Sequence, residues 1–248
     1  MTGGGAVMIK IAILLVRKKG MSRQEFQDYW RTVHGPLVMS IPENRRHVTK
    51  YVQSHVLPDW FPFLAGQGPL YDGAAEIWCD NLQAGLEMFA EPKYQELIYP
   101  DELKFLDVDK TITLVMKEHL MYQRPNAPIH GGVKLFELPV RREDMSRSQC
   151  HAYWLDVHAP KVLGCPQMIE SLRRYVQSHS MEEPIQGIRP MRYDGMAELS
   201  FDSTQDLLRC FGPQYMESVN PDEGNFVNLQ KSTAFIAEEL IMYERGAS

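Results

Sequence analysis

The feature that most constrains this chain is an internal repeat that runs through nearly its whole length. The run Tyr-Val-Gln-Ser-His starts at Tyr51 and recurs unchanged from Tyr175, an offset of 124 residues (175 − 51). A Trp-x-x-x-His-x-Pro element, with His34 in the first half and His158 in the second, keeps the same offset. Similarity at a fixed spacing is typical of a duplicated structural unit. We therefore predict two homologous modules within the 248 residues rather than one large domain.

Each half carries the same order of periodic segments, and that order is βαββαβ. In the first half, alternating apolar residues predict a strand near Met8 to Val16. Ser22 is followed three residues later by Glu25, which is the pattern of a capping box at the start of a helix. The remaining segments are a helix over Leu82 to Glu91 and strands around Tyr51 to Val56, Gly73 to Cys79 and Thr111 to Glu118. The order describes a ferredoxin-like module, a four-stranded antiparallel sheet with both helices on one face. Two such modules can bury their uncovered sheet faces against each other, so the predicted fold class is α+β.

The boundaries of the modules follow from the repeat and from a connector between its copies. Gln123 to Gly132 contains two prolines and a Gly-Gly pair, a composition typical of a linker. We expect a flexible N-terminus at residues 1–7, a first module at 8–122, the linker at 123–132 and a second module at 133–244.

Composition and charge argue against several classes of partner. The net charge is -6 and no run of Lys or Arg occurs, so no nucleic acid partner is expected. Val7 to Val16 is apolar, but Lys10 interrupts it and it is far too short for a membrane span, so no membrane partner is expected. The four cysteines have no CxxC or paired spacing. This favours a reducing, cytoplasmic location over a disulfide framework or a structural metal site.

The first candidate site residues lie on the first helix of each module. In the first module the residues expected to face the sheet are Phe26, Trp30, Val33 and Leu37. His34 follows Trp30 by four residues and so projects on the same side, and His158 repeats this placement after Trp154. A histidine on an apolar helix face is most often a structural residue, and a duplication would copy a structural histidine too. The placement alone does not assign a catalytic role.

The second strand of each module supplies a set of polar residues on one face. Alternation puts Tyr51, Gln53 and His55 on the same side of this strand in the first module. The second module repeats the set as Tyr175, Gln177 and His179. Polar groups beside a core are costly unless they are hydrogen-bonded or used, and a phenol with imidazoles can transfer protons without a metal or cofactor. The other interpretation is that this face meets solvent or the other module, and the pattern favours neither.

The modules differ most in the loop between their second and third strands. In the first module, Leu57 to Leu70 contains three aromatic residues, among them Trp60 and Phe61. The equivalent loop of the second module, Ser180 to Arg192, is polar. The aromatic loop forms either a lid over a ligand or part of a subunit contact, and the sequence does not decide between them.

Taken together, these motifs resemble those of the EthD family, which belongs to the dimeric α+β barrel group. The resemblance rests on Met-Ser-Arg near the start of the first helix, Tyr-Trp-x-x-x-His-x-Pro, Arg-Tyr-Val-Gln-x-His and Tyr-Asp-Gly-x-Ala-Glu. It covers residues 8–122 and 133–243, and it is closer in the second repeat because the first has Lys50 in place of an arginine. The resemblance implies two ferredoxin-like modules that form an intrachain dimeric α+β barrel, with a pocket between each sheet and its helices.

The resemblance also implies a kind of chemistry. Members of this family and their relatives act mostly on small cyclic or aromatic compounds without a metal or an organic cofactor. In the methylisomerase members, a histidine of the first helix and a tyrosine of the second strand line the pocket. These positions match His34 and Tyr51, and again His158 and Tyr175. The same isomerases carry a cysteine on the third strand, where this chain has aliphatic residues, so the resemblance does not extend to their particular reaction.

The residue sets and the resemblance together lead to a functional prediction. The residues expected to carry out acid–base catalysis are His34, Tyr51, His158 and Tyr175. The residues expected to contact the substrate are Trp30, Gln53, His55, Trp60, Phe61, Trp154, Gln177 and His179. The predicted activity is that of a cofactor-independent lyase, dehydratase or isomerase acting on a small, mostly apolar cyclic or aromatic compound. Two alternatives stay open: a non-catalytic small-ligand-binding or accessory protein, and a haem-handling or oxygen-dependent monooxygenase. No bound metal is expected, and the sequence leaves open whether the fused barrel forms a homodimer.

Overall fold

The structure is a computed structural model that describes residues 8–57, 70–186, 188–189 and 191–246. Its strands are β1 (Ile9–Leu15), β2 (Val48–Val56), β3 (Gly73–Cys79), β4 (Ile112–Gln123), β5 (Val133–Leu138), β6 (Leu172–Ser180), β7 (Gly195–Phe201) and β8 (Thr233–Glu244). Its α-helices are α1 (Arg23–Tyr29), α2 (Gly35–Ser40), α3 (Pro42–His47), α4 (Leu82–Ala90), α5 (Tyr99–Phe105), α6 (Arg147–Tyr153), α7 (Ala159–Gly164), α8 (Pro166–Ser171), α9 (Thr204–Cys210), α10 (Pro213–Ser218) and α11 (Asn220–Glu223). Short π-helical turns connect some of these helices at Trp30–His34, Tyr94–Ile98 and Trp154–His158.

Each module contains one four-stranded antiparallel sheet. The first sheet has the order β4-β1-β3-β2, with Ile11 of the central strand β1 opposite both Ile77 of β3 and Val115 of β4. The second sheet repeats this order as β8-β5-β7-β6. Antiparallel pairing in this order is the arrangement of a ferredoxin-like module, as the sequence predicted.

The strand topology agrees with the predicted fold class. The strands follow one another in the closed barrel order β1-β3-β2-β8-β5-β7-β6-β4. The α+β class, with two ferredoxin-like modules in the strand order of an intrachain dimeric α+β barrel, is therefore confirmed.

The chain separates into two compact units, and each unit contains residues from both repeats. The first unit combines the chain up to Val56 and Leu70–Lys117 with the chain from Leu240 onward. The second unit is built mainly from Glu118–Glu239. The strands β4 and β8 are therefore divided, because their C-terminal ends belong to the unit of the opposite repeat.

Matching arginines follow the ends of these two strands. In the first unit, the Arg245 N–H donates to the carbonyl oxygen of Thr49 at 2.8 Å. In the second unit, the Arg124 N–H donates to the carbonyl oxygen of Arg173, also at 2.8 Å. The strand predicted to end near Glu118 continues further because its last residues are hydrogen-bonded within the second unit.

The first helix begins as predicted. The Ser22 hydroxyl accepts a hydrogen bond from the Glu25 N–H at 3.2 Å, and the Glu25 carboxylate accepts from the Ser22 N–H at 2.8 Å. Ser146 and Gln149 form the same capping box in the second module. The cap satisfies backbone groups that have no partner in the first turn, and so sets where the helix starts.

A π-helical turn changes which residues of the first helix face the sheet. The Gly35 N–H bonds the carbonyl of Trp30, five residues back, and this wider turn rotates the residues that follow Trp30. Val33 is consequently 44% exposed, whereas His34 is 6% exposed. The expectation that Val33 belongs to the buried stripe is wrong, because it assumed an uninterrupted α-helix. His34 is buried, as its spacing from Trp30 predicted.

Candidate active site

In the first module, the polar face of β2 lies against the first helix. The indole N–H of Trp30 donates to the hydroxyl of Tyr51 at 3.1 Å, and the ring centroids of Trp30 and His55 are 4.6 Å apart. Trp30, Tyr51 and Gln53 are buried. The predicted set of Tyr51, Gln53 and His55 therefore meets a helix rather than solvent.

Gln53 fixes the direction of the hydrogen bonds in this group. Its side-chain NH₂ donates to the backbone carbonyl of Trp30 at 3.0 Å and to the hydroxyl of Tyr51 at 3.1 Å. Because a carbonyl can only accept, the Gln53 Oε1 atom must be the one that faces Nε2 of His55, 3.0 Å away. His55 therefore donates from Nε2. Burial lowers the pKa of His55 to about 4, so the ring is neutral at neutral pH.

The hydroxyl of Tyr51 is arranged as a hydrogen-bond donor. Its oxygen accepts from both Trp30 and Gln53, which uses its two lone pairs. Burial raises the pKa of Tyr51 to about 12, so the hydroxyl keeps its proton at neutral pH. The proton is the part of this hydroxyl that remains for a ligand oxygen.

The second module reproduces this arrangement. The side-chain NH₂ of Gln177 donates to the hydroxyl of Tyr175 at 2.7 Å and to the carbonyl of Trp154 at 3.2 Å. Its Oε1 atom lies 3.0 Å from Nε2 of His179, whose ring is stacked on that of Trp154 with centroids 4.9 Å apart. Burial raises the pKa of Tyr175 above its ordinary value and lowers that of His179 to about 3.

Two further histidines lie beside His179 in the second compact unit, one of them from the end of β4. The rings of His119 and His151 have centroids 4.6 Å and 4.4 Å from that of His179. The equivalent positions in the first compact unit hold Leu240 and Gln27, so this group of imidazoles has no counterpart there. The sequence interpretation missed it because the search concentrated on residues that recur in both halves.

His34 is paired with a carboxylate from α5. Its Nδ1 atom lies 2.9 Å from Asp101, which also accepts from the hydroxyl of Tyr29 at 2.6 Å and from Lys104 at 3.0 Å. Burial alone would raise the pKa of Asp101, but these hydrogen bonds hold it below its ordinary value. Burial lowers the pKa of His34 and outweighs the opposing effect of Asp101. A neutral His34 therefore donates its Nδ1 proton to an ionised Asp101, and Nε2 is the basic atom.

His158 has the same surroundings in the second module. Its Nδ1 atom lies 3.0 Å from Asp222, which also accepts from the Tyr153 hydroxyl at 2.7 Å and from the Lys161 ammonium group. Burial lowers the pKa of His158, while the hydrogen bonds to Asp222 keep the pKa of that carboxyl below its ordinary value despite burial. The ring of Phe226 packs on the imidazole with centroids 4.9 Å apart.

The structure also contains an acidic residue in each module that the sequence interpretation left out. Glu102 accepts from the hydroxyl of Tyr94 at 2.5 Å, and Glu223 accepts from the hydroxyl of Tyr215. Burial raises the pKa of Glu102 to about 7, and it raises the pKa of Glu223 above its ordinary value. Both glutamates lie in the Pro-Asp-Glu sequence that recurs in the two halves, so this recurrence was the signal that could have identified them.

The histidine and the tyrosine of each module belong to neighbouring but separate groups. Among the described residues, no hydrogen bond joins His34 to Tyr51. Two residues that are adjacent in the chain connect them: Asp101 belongs to the group of His34, and Glu102 acts on the group of Tyr51. Asp101 bonds the histidine, while the charge of Glu102 adds a smaller contribution to the raised pKa of Tyr51, after burial.

Six of the remaining predicted contact residues surround the buried tyrosines. Trp30, Gln53 and His55 form one group with Tyr51, and Trp154, Gln177 and His179 form the equivalent group with Tyr175. Trp60 and Phe61 lie outside the described residues. The catalytic and substrate-binding roles of all these residues stay a prediction.

Two properties of the described part of the chain bear on cofactors and membranes. Within it, no three His, Cys, Asp or Glu side chains come together in a group that could hold a metal ion. No helix in those residues combines the length and the apolar character needed to cross a membrane.

The fold places this chain among α+β proteins that are built from ferredoxin-like modules. In each module, buried polar side chains lie between the sheet and its helices. The family of this chain is more specific. The family model of the EthD domain matches residues 18–109 and 142–230, and the chain belongs to the EthD family. The two matched segments follow the internal repeat, so the chain contains a tandem duplication of the EthD domain.

Individual relatives are distant in sequence. Dehydratase ustZ from Ustilaginoidea virens is 25% identical over 114 residues, which cover 44% of this chain and 81% of that protein. An anthrone oxidase-like protein of known structure aligns with a TM-score of 0.60 at 8% identity, covering 98% of this chain and 96% of the other. A haem-binding protein from Thermus thermophilus aligns with a TM-score of 0.50 at 13% identity, covering 94% and 91%. At these identities the two solved structures show a shared fold.

Proposed function

We propose that this protein is a cofactor-independent lyase, in particular a dehydratase, or an isomerase, and that it acts on a small, mostly apolar cyclic or aromatic compound. One observation carries the proposal. Each module combines a neutral histidine, bound through Nδ1 to an ionised aspartate, with a buried tyrosine that keeps its proton and accepts a hydrogen bond from a glutamine. A base and an oxyanion donor are the two groups that proton abstraction next to a carbonyl requires.

The histidine supplies the base. With Nδ1 held by Asp101 or Asp222, the Nε2 atom of His34 or His158 takes a proton from a carbon next to a ketone. The aspartate keeps the ring in the required tautomer and stabilises the imidazolium that forms. A positioned base of this kind is worth about 10²–10⁴-fold in rate.

The tyrosine supplies the hydrogen bond to the enolate oxygen. Both lone pairs of the Tyr51 oxygen are occupied, so this hydroxyl favours a ligand that presents an acceptor, such as a ketone. A donor fixed in buried surroundings stabilises developing negative charge more than mobile water does.

Dehydration and isomerisation share this enolate. If a hydroxyl group stands on the next carbon, its C–O bond breaks, the electron pair of the enolate forms the new double bond, and the oxygen leaves with a proton as water. If no leaving group is present, a proton returns to a different carbon and the product is an isomer. The similarity to dehydratase ustZ favours the first outcome.

Aromatic rings beside the polar groups favour a ligand with an apolar ring. In the first module, the ring centroids of His34 and Phe105 are 4.8 Å apart, and those of Phe26 and Trp30 are 5.7 Å apart. Apolar surroundings with a few convergent polar groups are typical of small-molecule sites.

A β-hydroxytetralone tests the proposal. This bicyclic β-hydroxy ketone gives a fluorescent naphthol when it loses water, and a parallel panel of lactones tests isomerisation. We expect naphthol release at a rate proportional to protein concentration and well above that in buffer. Binding without turnover of any compound in the panel would instead indicate a ligand-binding protein. A Soret absorption band in the purified protein would indicate haem handling.

A further inference from the structure

The central strand of each sheet has one position that is only half-buried. In β1 every residue is buried except Ile13, and in β5 every residue is buried except Glu137. Ile13 and Glu137 are separated by the repeat offset of 124 residues (137 − 13), so the two positions are equivalent. A central strand covered by helices leaves a side chain accessible only where space remains in front of it. Both modules therefore have a space at the same place, lined by isoleucine in the first and by glutamate in the second.

Glu137 stands in one row with the polar residues of β6. It lies opposite Ala197 of β7, and Ala197 lies opposite Gln177 of β6. Adjacent strands are about 4.8 Å apart, so the backbones of Glu137 and Gln177 are about 10 Å apart with a single methyl group between them. Ala197, Gln177 and Tyr175 are buried, so the accessible space of this row lies in front of Glu137 itself.

The carboxyl group of Glu137 has no protein partner among the described residues, where neither a hydrogen bond nor an ion pair reaches it. Groups in such surroundings normally have a partner. Burial, and then the negative charge of Glu223, raises the pKa of Glu137 well above its ordinary value, which favours the protonated carboxyl. A protonated carboxyl offers one donor and one acceptor, which is the complement of an alcohol hydroxyl.

We infer that the second module binds a ring compound bearing a hydroxyl group, that Glu137 recognises this hydroxyl, and that the first module, with Ile13 in the same place, has no group for it. The inference deepens the proposed function and rests on it for the class of ligand. In a dehydration, Glu137 gives its proton to the departing hydroxyl as the C–O bond breaks, and the oxygen leaves as water. The proton taken from the neighbouring carbon by the base of the site returns to Glu137 through solvent.

The internal repeat supplies matched variants for a test. Glu137→Ile gives the second module the residue of the first, and Glu137→Gln keeps the size and hydrogen bonding but has no proton to transfer. Ile13→Val alters the equivalent position of the first module without adding a polar group. The probes are a β-hydroxytetralone, the tetralone that lacks the hydroxyl, and an aminotetralin that carries a cation on the same skeleton. Calorimetric titration at neutral pH measures binding, and melting curves check folding.

We expect the wild-type protein to bind the hydroxytetralone about tenfold more tightly than the tetralone, as one well-made hydrogen bond allows. Glu137→Ile should remove this preference, and Ile13→Val should leave it unchanged. The inference is overturned if Glu137→Ile keeps the preference, if the aminotetralin binds the wild type more tightly than the hydroxytetralone, or if the hydroxytetralone does not bind. If Glu137→Ile fails to fold, Glu137→Gln decides, because it should keep binding and lose naphthol release.

Naphthol release in the same samples separates this inference from the proposed function. Loss of the binding preference in Glu137→Ile, with no turnover by any protein, supports the role of Glu137 and contradicts the enzyme. Turnover and preference that are both unchanged in Glu137→Ile contradict the role of Glu137 and leave the enzyme standing.

Discussion

The Nδ1 atom of His34 lies 2.9 Å from the Oδ2 atom of Asp101. The second module repeats the pair, with His158 Nδ1 3.0 Å from Asp222 Oδ2. Each aspartate also accepts from a tyrosine hydroxyl of the first helix, so the pair joins two helical segments as well as orienting an imidazole. Because structural and chemical roles meet in one group, folding and turnover have to be measured separately in every variant.

Replacing the buried tyrosines tests the oxyanion donor. Tyr51→Phe leaves the Trp30 indole N–H and the Gln53 amide without their acceptor, so we expect a loss of about 1–3 kcal/mol in the free energy of unfolding. In a module that is active, Tyr51→Phe or Tyr175→Phe should also lower turnover by about 10²–10³-fold. Urea unfolding and naphthol release measure the two effects.

Tyr99→Phe is the matched control for these variants, because the Tyr99 side chain is exposed. It should change neither stability nor rate. Wild-type turnover in a folded Tyr51→Phe/Tyr175→Phe double variant would show that the hydroxyls take no part in the reaction.

The division of β4 and β8 between the two compact units predicts that neither half of the chain folds alone. Each unit includes a strand end from the opposite repeat, anchored by the bonds of Arg245 to Thr49 and of Arg124 to Arg173. Residues 1–122 and 133–248 expressed separately should be insoluble or should recombine when mixed. Size-exclusion chromatography and circular dichroism check this, and a cooperative thermal transition from either half as a monomer would refute it.

The raised pKa of Glu137 predicts how stability depends on pH. Its pKa in the folded protein is well above the ordinary value of 4.5, so over the pH range just above 4.5 the folded state holds a proton that the unfolded state has lost. Stability therefore falls as the pH rises from 4.5 through the raised pKa of Glu137. Glu137→Gln, which does not titrate, should raise the melting temperature more at pH 8 than at pH 4.5.

Glu217→Gln is the control for this measurement, since Glu217 is exposed and lies outside the site. An equal effect of Glu137→Gln at both pH values would mean that Glu137 ionises normally in the folded protein.

Much of the fold could be predicted because it depends on short-range patterns. Alternation identified the strand face that carries Tyr51, Gln53 and His55, and the capping box identified the start of the first helix. The π-helical turn at Trp30–His34 could not be predicted in this way, because the spacing of apolar residues does not indicate a hydrogen bond between residues five apart. That turn explains why Val33, which was expected to be buried, is exposed.

The site was harder to predict because its contacts join distant parts of the chain. His34 and Asp101 are 67 residues apart, and no local pattern connects a histidine of one helix with a carboxylate of another. Glu137 was missed for a different reason. The interpretation looked for residues that recur in both halves, whereas Glu137 differs from its counterpart Ile13.

The paired histidines are the basis of the account, and variants of them need a control of the same residue type. His47 serves this purpose because it bonds Glu91 at 2.9 Å, away from both groups. His34→Gln and His158→Gln replace the alanine variants if the latter fail to fold.

The most direct test is the rate of naphthol release from a β-hydroxytetralone by the His34→Ala/His158→Ala double variant, beside the wild type and His47→Ala. We predict a folded double variant, with a native circular dichroism spectrum and a cooperative melting transition, whose rate is at least about 10²-fold below that of the wild type. His47→Ala should keep the wild-type rate. A folded double variant that releases naphthol as fast as the wild type would contradict the account.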